Sequence, residues 1–230
     1  MTRRVMFATP SHSGRPSMWF ANAMRHTEKL LAANGIEAVP IGAPGDALVQ
    51  RARNFLHRMF LRDGYDDLFW VDDDIEWNPL AALALLSHEV DVVGCAYRKK
   101  TDDEQLYTVR VAKLPIPVDI KTGLWLVDGL GTGFLRMSRR AAQALWDATS
   151  ADMEYESDGE VYRWIYDVCP VNRRLLSEDI IASEKLRQLG FQIYLDPNFV
   201  PFHIGEKKYG GDFRAYAAQL QKKLGTQKTA

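Results

Sequence analysis

The sequence predicts an α/β protein with helices on both faces of a mixed central sheet, and three observations carry that expectation. Short, uninterrupted apolar runs alternate with helix-length amphipathic stretches through the first hundred residues, the pattern of parallel strands covered on both sides. The second half carries shorter strand-like runs broken by glycines, which fits a more antiparallel region. Finally, 230 residues with 47% hydrophobic side chains suffice for one sizeable core, burying roughly 70–75% of the unfolded chain's surface.

The elements follow in order. Val5–Thr9 is an apolar run ended by Pro10, read as a buried strand and a turn. Met18 to Asn34 has helical periodicity and stops at Gly35, the residue expected just past a helix end. Glu37–Ile41 is a second strand, with Gly42–Gly45 as a loop. Asp46 can cap a helix running to about Arg62. Leu68–Val71 is a fully apolar strand, and Asn78-Pro79 opens a helix to about Ser87. Asp91–Ala96 reads as a strand, Arg98–Gln105 as a charged loop, and Tyr107–Val111 and Leu124–Val127 as further strands. Phe134–Met137 precedes a helix over Arg139–Thr149, and the polar stretch 151–160 reads as a mobile loop. A helix from Ser177 to Gly190, a strand at Gln192–Leu195, the segment Phe202-His203-Ile204 and a helix over Phe213–Leu224 complete the chain.

Composition excludes several classes. The 29 basic and 30 acidic side chains give a formal net charge of −1, so the global basic field of a dedicated nucleic-acid binder is missing. Two cysteines, Cys95 and Cys169, do not make a disulfide scaffold. No window approaches ~20 continuous apolar residues, so no membrane span is expected. The apolar run at the N-terminus is too short for a signal peptide, and the expectation is a cytoplasmic protein.

The densest chemistry lies between Asp66 and Glu76, where six carboxylates fall in eleven residues without a basic side chain. Two unit charges ~4 Å apart cost about 4 kcal/mol at an effective dielectric of 20. Such a cluster calls for water or a cation. If strand geometry persists, Asp72 and Asp74 share one side and Asp73 faces the other. Carboxylates at i and i+2 make a half-site for a divalent ion carrying a phosphorylated substrate, and they follow a strand end, where open α/β sheets bind ligands. A solvated acidic turn leading to the helix at Asn78 reads equally well from these residues alone.

Further motifs follow in order: Arg53-Asn54 before the strand, Asp72-Asp73-Asp74, Gly131-Thr132-Gly133, Ser177-Glu178-Asp179, Asp196-Pro197 and Phe202-His203-Ile204. In this order and spacing, over roughly residues 4–205, the sequence resembles the GT-A glycosyltransferases, most closely the large, mainly inverting family that uses nucleotide-diphosphate sugars. The resemblance implies a GT-A-like, Rossmann-type α/β/α sandwich in one unit over 1–230. Residues to about 100 would form the nucleotide-sugar and metal half, about 101–205 the acceptor half, and 206–230 a C-terminal helix and tail.

The resemblance also implies roles. Asp72 and Asp74 match the first and last aspartates of the Asp-x-Asp motif, with Asp74, Asp72 and His203 as ligands of Mn²⁺ or Mg²⁺ and Asp73 at the variable position. Thr9, Pro10 and Arg53 match nucleotide-side positions. Gly131, Thr132, Gly133 and Tyr97 would line the acceptor side. Asp179 looks like the general base, with Glu178 as the fallback, although Ser177-Glu178-Asp179 is also an ordinary acidic helix start. His203 alone reads as a packed histidine, and a carboxylate–imidazole set suits Mn²⁺ better than Ca²⁺.

The partners implied are a nucleotide-diphosphate sugar, with a UDP-sugar first, and an acceptor hydroxyl. A compact chain of this kind also looks similar to glycosyltransferases of phage genomes. DNA with a hydroxymethylated base is therefore one acceptor reading, with Arg98-Lys99, Arg139-Arg140, Arg173-Arg174 and Lys207-Lys208 as phosphate contacts. A glycan acceptor, a sugar nucleotidyltransferase and a non-catalytic binding module of the same fold remain as alternatives.

Overall fold

The computed structural model describes residues 2–102 and 105–227. Residues 103–104 of the charged loop and 228–230 of the expected tail lie outside the described residues.

β1 (Arg3–Ser11), α1 (Met18–Ala33), β2 (Ile36–Pro44), α2 (Val49–Arg62) and β3 (Asp67–Val71) form the expected alternation. The short β4 (Ile75–Glu76), α3 (Pro79–Ser87), β5 (Val92–Gly94), β6 (Val109–Arg110), β7 (Trp125–Val127), β8 (Gly129–Leu130) and β9 (Phe134–Ser138) follow. After α4 (Arg139–Ala148) come two hairpins, β10 (Glu154–Ser157) with β11 (Glu160–Arg163) and β12 (Cys169–Val171) with β13 (Arg174–Leu176). α5 (Glu178–Gln188), β14 (Ile193–Leu195), β15 (Phe202–Ile204), β16 (Lys208–Tyr209) and α6 (Phe213–Gln227) end the chain.

The central sheet has seven strands in the order β2-β1-β3-β9-β5-β14-β7. β1 runs parallel to β2 and β3, whereas β9 is antiparallel to both β3 and β5. Alternate residues of β1 supply two cores. Val5 and Phe7 pack with α1 and α3, while Met6 and Ala8 pack with α2 and α4. Phe7 stacks on Phe69 at 4.6 Å, and Phe134 meets Phe69 edge-on at 5.0 Å. Each such ring contributes about 1.5–3 kcal/mol by leaving water. The α/β/α sandwich on a mixed sheet expected from the sequence is the fold observed.

Three local expectations are corrected. β2 continues through the expected loop to Pro44, because on the sheet's edge Pro40 and Pro44 need no ladder donors. Asp46 does not cap α2. The cap position is Leu48, and Asp46 instead accepts from the Leu48 N–H at 2.9 Å and pairs with Arg51 at 2.7 Å. The polar stretch 151–160 is not a loop but a 3₁₀ turn leading into a hairpin. Asp158-Gly159 form its two-residue turn with φ of 51° and 77°, the Asp-Gly chemistry such hairpins require. Tyr155 stacks on Tyr162 at 5.4 Å.

The carboxyl ends of the parallel strands β1 and β3 open at one end of the sheet, where the acidic turn follows β3. Val71 pairs with Phe134 in the β3–β9 ladder, so the Gly131–Gly133 turn entering β9 sits beside the aspartates leaving β3.

Candidate functional site

β3 ends at Val71, and Asp72–Asp74 form a turn closed by the Ile75 N–H on the Asp72 carbonyl at 3.1 Å. The turn corrects the expectation that Asp72 and Asp74 share one side. The three side chains fan out toward three different parts of the chain.

Asp72 points to α2. Its Oδ1 accepts from Arg53 Nη2 at 2.9 Å, and Arg53 Nε donates to Glu178 Oε1 at 3.2 Å. Arg53 is buried at 3% exposure over the Trp70 ring. Its Nη1 is a buried donor without a partner among the described residues. Burial alone pulls its pKa down, but Asp72 and Glu178 hold it above the usual arginine range. The next residue, Asn54, accepts from the backbone N–H groups of Ile165 and Tyr166 at 2.8 and 3.0 Å and so fastens that segment to α2.

Asp73 faces the other way and accepts from the Ser11 hydroxyl. Burial raises its pKa, with Asp74 and Asp72 adding to the shift against the Ser11 hydrogen bond. Ser11 also lines a groove of about 290 Å³ with Thr9, Gly14, Pro16 and Phe20 at the end of β1. The groove and the acidic turn are therefore contiguous. Thr9 faces the groove, but Pro10 does not line it.

Asp74 meets the late histidine. β15 pairs antiparallel with β4, setting His203 opposite Ile75, and the Ile204 N–H donates to the Asp74 carbonyl at 2.7 Å. His203 Nε2 then lies 3.4 Å from Asp74 Oδ2, while its Nδ1 lies 3.0 Å from the Arg98 carbonyl. A carbonyl only accepts, so Nδ1 carries a proton and Nε2 is turned toward the carboxylate. This is the outer-shell arrangement that orients an imidazole for a metal. Lys100 Nζ stands 2.5 Å from the same oxygen, and Asp74 Oδ1 is buried without a hydrogen-bond partner among the described residues. Burial pushes the Asp74 carboxyl up, but hydrogen bonds from His203 and Lys100 overcome it and lower its pKa.

Two of the three expected metal ligands thus stand together, while Asp72 is turned to Arg53. No group of three or more His, Cys, Asp or Glu side chains is gathered as a metal site among the described residues. The acidic segment also finds cations from elsewhere in the chain. Asp67 pairs with Arg3 and Arg136, Asp72 with Arg53, Asp74 with Lys100, and Glu76 with Lys208 at 2.6 Å. Repulsion within the segment therefore does not by itself demand a divalent ion. The fit for one rests on Asp74, its unpartnered oxygen and the oriented His203.

Asp179 is the second residue of α5, after the N-cap Ser177, whose hydroxyl donates to its Oδ1. Its pKa is raised, first by burial and then by Glu178. It lines a cleft of about 330 Å³ with Lys99, Arg110 and Arg174 on the walls. Glu178 is taken up by Arg53. Gly131 and Gly133 are needed for a reason of packing. A Cβ on Gly133 would lie 2.3 Å from Tyr97 Oη and 2.8 Å from Asp72 Oδ2, and one on Gly131 would lie 2.8 Å from Tyr97 Oη. Tyr97 is buried at 4% exposure and receives the Gly133 N–H at 3.0 Å. Burial, then Asp72 and Asp179, push its phenol up. Thr132 is buried between the two glycines. Tyr97 is a strut under the acidic turn rather than a rim residue.

Sequence reasoning passed over two members of this arrangement. Lys100 lies within the charged loop Arg98–Gln105, and Ser11 directly follows the Pro10 that ends the first apolar run. Neither has a local signal, since each acts on a carboxylate more than 25 positions away.

Of the basic pairs, Arg139 bonds the carbonyls of Tyr65 and Leu61, and Arg140 pairs with Asp91. Both follow Ser138, which pairs with Asp67 at the opposite edge of the sheet from Asp72. Arg98 is engaged by the Gly210 and Thr101 carbonyls, Lys207 by Asp102 and Lys208 by Glu76. Among the described residues, Lys99, Arg173 and Arg174 have no ion-pair partner. Nor is any helix among them long and apolar enough to cross a membrane.

Comparison with known proteins places the chain by fold alone. No family description and no curated protein matches it. Among solved structures it is similar to A197 from STIV, at 18% identity over 88% of this chain and 86% of that one, with a TM-score of 0.53. A looser likeness is to a glycosyltransferase involved in the glycosylation of the major capsid of PBCV-1, at 10% identity over 64% and 66% of the two chains and a TM-score of 0.35. Another is to GalNAc-T7, solved with UDP, GalNAc and Mn²⁺, at 11% identity over 89% and 44% and a TM-score of 0.46. The chain spans less than half the length of that last protein.

Proposed function

We propose that this protein is a GT-A-like glycosyltransferase that moves a sugar from a nucleotide-diphosphate sugar, a UDP-sugar first, to an acceptor hydroxyl. The observation that carries the reading is His203 held against Asp74 with its Nδ1 anchored on a backbone carbonyl. That is donor-site chemistry at the carboxyl end of a sheet strand. Asp74 and His203 would hold Mn²⁺ or Mg²⁺, which when bound supplies positive charge for the departing diphosphate. The groove at Thr9 and Ser11, with Asp73 at its edge, is the place for the nucleoside. Asp72 is positioned by Arg53 and reaches the donor from the other side of the turn.

Asp179 is the general base. Its carboxylate takes the proton of the acceptor hydroxyl as the oxygen bonds to the anomeric carbon, and the bond to the diphosphate breaks with its electron pair leaving on phosphate. Because Glu178 is committed to Arg53, one carboxylate serves the acceptor, and attack from that side inverts the anomeric centre. Gly131, Thr132, Gly133 and Tyr97 support the floor between the two halves of the site.

The cations around Asp179 favour an anionic acceptor. Lys99, Arg110 and Arg174 line its cleft, which keeps DNA as an acceptor reading beside a charged glycan. Salt-sensitive binding of duplex DNA tests this, with Lys99 and Arg173-Arg174 as the contacts in place of the other basic pairs.

The direct test is a screen of sugar nucleotides with Mn²⁺, reading nucleoside diphosphate release, followed by NMR of the product's anomeric configuration. Diphosphate release with one donor, lost in Asp179→Asn and in chelator, is expected. Pyrophosphate release from a nucleoside triphosphate and a sugar phosphate would overturn the reading in favour of nucleotidyl transfer. Tight donor binding with neither hydrolysis nor transfer would leave a binding module.

A further inference from the structure

We propose that Lys100 is the internal counter-cation of the Asp74 site, and that a divalent ion enters by exchanging with the Lys100 ammonium. The inference rests on the metal reading above and goes beyond it by assigning control of metal occupancy to a residue outside the ligand set.

Asp74 Oδ2 carries two neighbours at once, Lys100 Nζ at 2.5 Å and His203 Nε2 at 3.4 Å. Its other oxygen is buried without a partner among the described residues. Two ligands bound at ~2.1 Å to one ion, roughly at right angles, stand about 3 Å apart. The Asp74–His203 spacing is close to that figure. The ammonium shares the carboxylate oxygen that an ion would bind. Lysine and ion cannot both be satisfied on it.

The surroundings hold the backbone of this turn and leave the side chain movable. The Lys99 N–H donates to the Leu106 carbonyl at 2.7 Å, and the Thr101 N–H to the Lys99 carbonyl at 2.9 Å. Asp102 pairs with Lys207 at 2.5 Å. The Lys100 stem runs over Gly205, where a Cβ would come within 3.1 Å of its Cδ. Among the described residues the ammonium is held by Asp74 alone, and both side chains of the pair are about one-third exposed, at 35% and 34%. Part-exposed ion pairs of this kind are weak. The lysine therefore neutralises Asp74 when no ion is bound and yields to a doubly charged one without unfolding the turn.

The test is Mn²⁺ binding by the whole chain, measured by the electron paramagnetic resonance of free Mn²⁺, in the native protein and in Lys100→Met, Lys100→Arg and Asp74→Asn. Methionine keeps the stem and removes the charge. Lys100→Met should bind Mn²⁺ roughly fivefold tighter, the scale of a part-exposed ion pair. Lys100→Arg should show no gain, and Asp74→Asn should lose binding. In the native protein, Mn²⁺ should also raise the rate at which Lys100 is acetylated, followed by mass spectrometry. Equal Mn²⁺ affinity in the native protein and Lys100→Met, with Lys100 reactivity unchanged by Mn²⁺, would overturn the exchange while leaving the metal site standing. If no variant binds Mn²⁺ and chelator-treated protein still releases nucleoside diphosphate, the exchange and the metal assignment fall together, and transferase activity remains.

Discussion

Arg53 reaches Glu178 across 125 positions of sequence, its Nε 3.2 Å from the carboxylate, while the other side of the same guanidinium holds Asp72. One buried side chain thereby joins the acidic turn after β3 to the start of α5, the two places on which the proposed chemistry depends. Removing it leaves two carboxylates facing each other in a poorly solvated space. Arg53→Ala should cost about 3–5 kcal/mol of stability, the scale for breaking a buried ion pair, measured by denaturant unfolding. Full stability in that variant would show the bridge to be unimportant to the fold.

Asp179 offers a test in which stability and activity move apart. Burial and Glu178 raise its pKa, so the folded state binds its proton more tightly than the unfolded state does. Its ionised form therefore works against folding at neutral pH, and the penalty fades as pH falls through the folded pKa. Asp179→Asn should leave stability at pH 7 unchanged or higher while transfer is lost. The acid limb of the native rate profile should lie above the ordinary carboxylate range, read from initial rates between pH 4 and 8.

His57 governs acid stability at a distance from the site. It is fully buried between Tyr166 Oη and the Ala142 carbonyl, and burial lowers its pKa to about 4. The unfolded chain takes up this proton near pH 6.5, so stability is intact above that value and falls as pH drops toward 4. The loss attributable to His57 is about 3 kcal/mol, the cost of a proton taken up near pH 6.5 unfolded but only near 4 when buried. His57→Gln should flatten the pH dependence of unfolding over this window.

Gly133 has no room for a methyl group between Tyr97 and Asp72. Gly133→Ala should destabilise by about 1–3 kcal/mol, the usual cost of overpacking, and should lower transfer by shifting Asp72. Thermal unfolding together with initial rates checks both effects. A variant as stable and active as the native protein would mean that Tyr97 moves aside freely.

His203→Ala should weaken Mn²⁺ binding at least tenfold with little change in unfolding, because the ring is half-buried at the edge of the β15–β4 pair. A titration with unaltered affinity would remove His203 from the ligand set.

How much of this was legible beforehand follows from the range of each signal. Strand and helix identity depends on periodicity within ten or fifteen residues, and the alternation from β1 to β3 could be read directly, as could Pro79 at the first turn of α3. The Asp158-Gly159 turn was also readable, since two residues carry it, yet the polarity around it suggested a loop. The six carboxylates marked the end of β3 as the place where acidic side chains gather. Their need for compensating charge is met by side chains, since Arg3, Arg53, Arg136, Lys100 and Lys208 arrive from as far as 132 positions away.

The sequence by itself determined the layered α/β architecture, the end of β3 as the place where carboxylates cluster and the residue types available there. Only the tertiary structure decided which carboxylate faces which partner: Asp72 to Arg53, Asp73 to Ser11 and Asp74 to His203 and Lys100. The reason is geometric. A turn at the end of a strand releases consecutive side chains in different directions, and what each meets is set by the pairing of β15 with β4, the seating of α2 and the path of the chain after β5. None of those contacts leaves a local trace in the order of the residues.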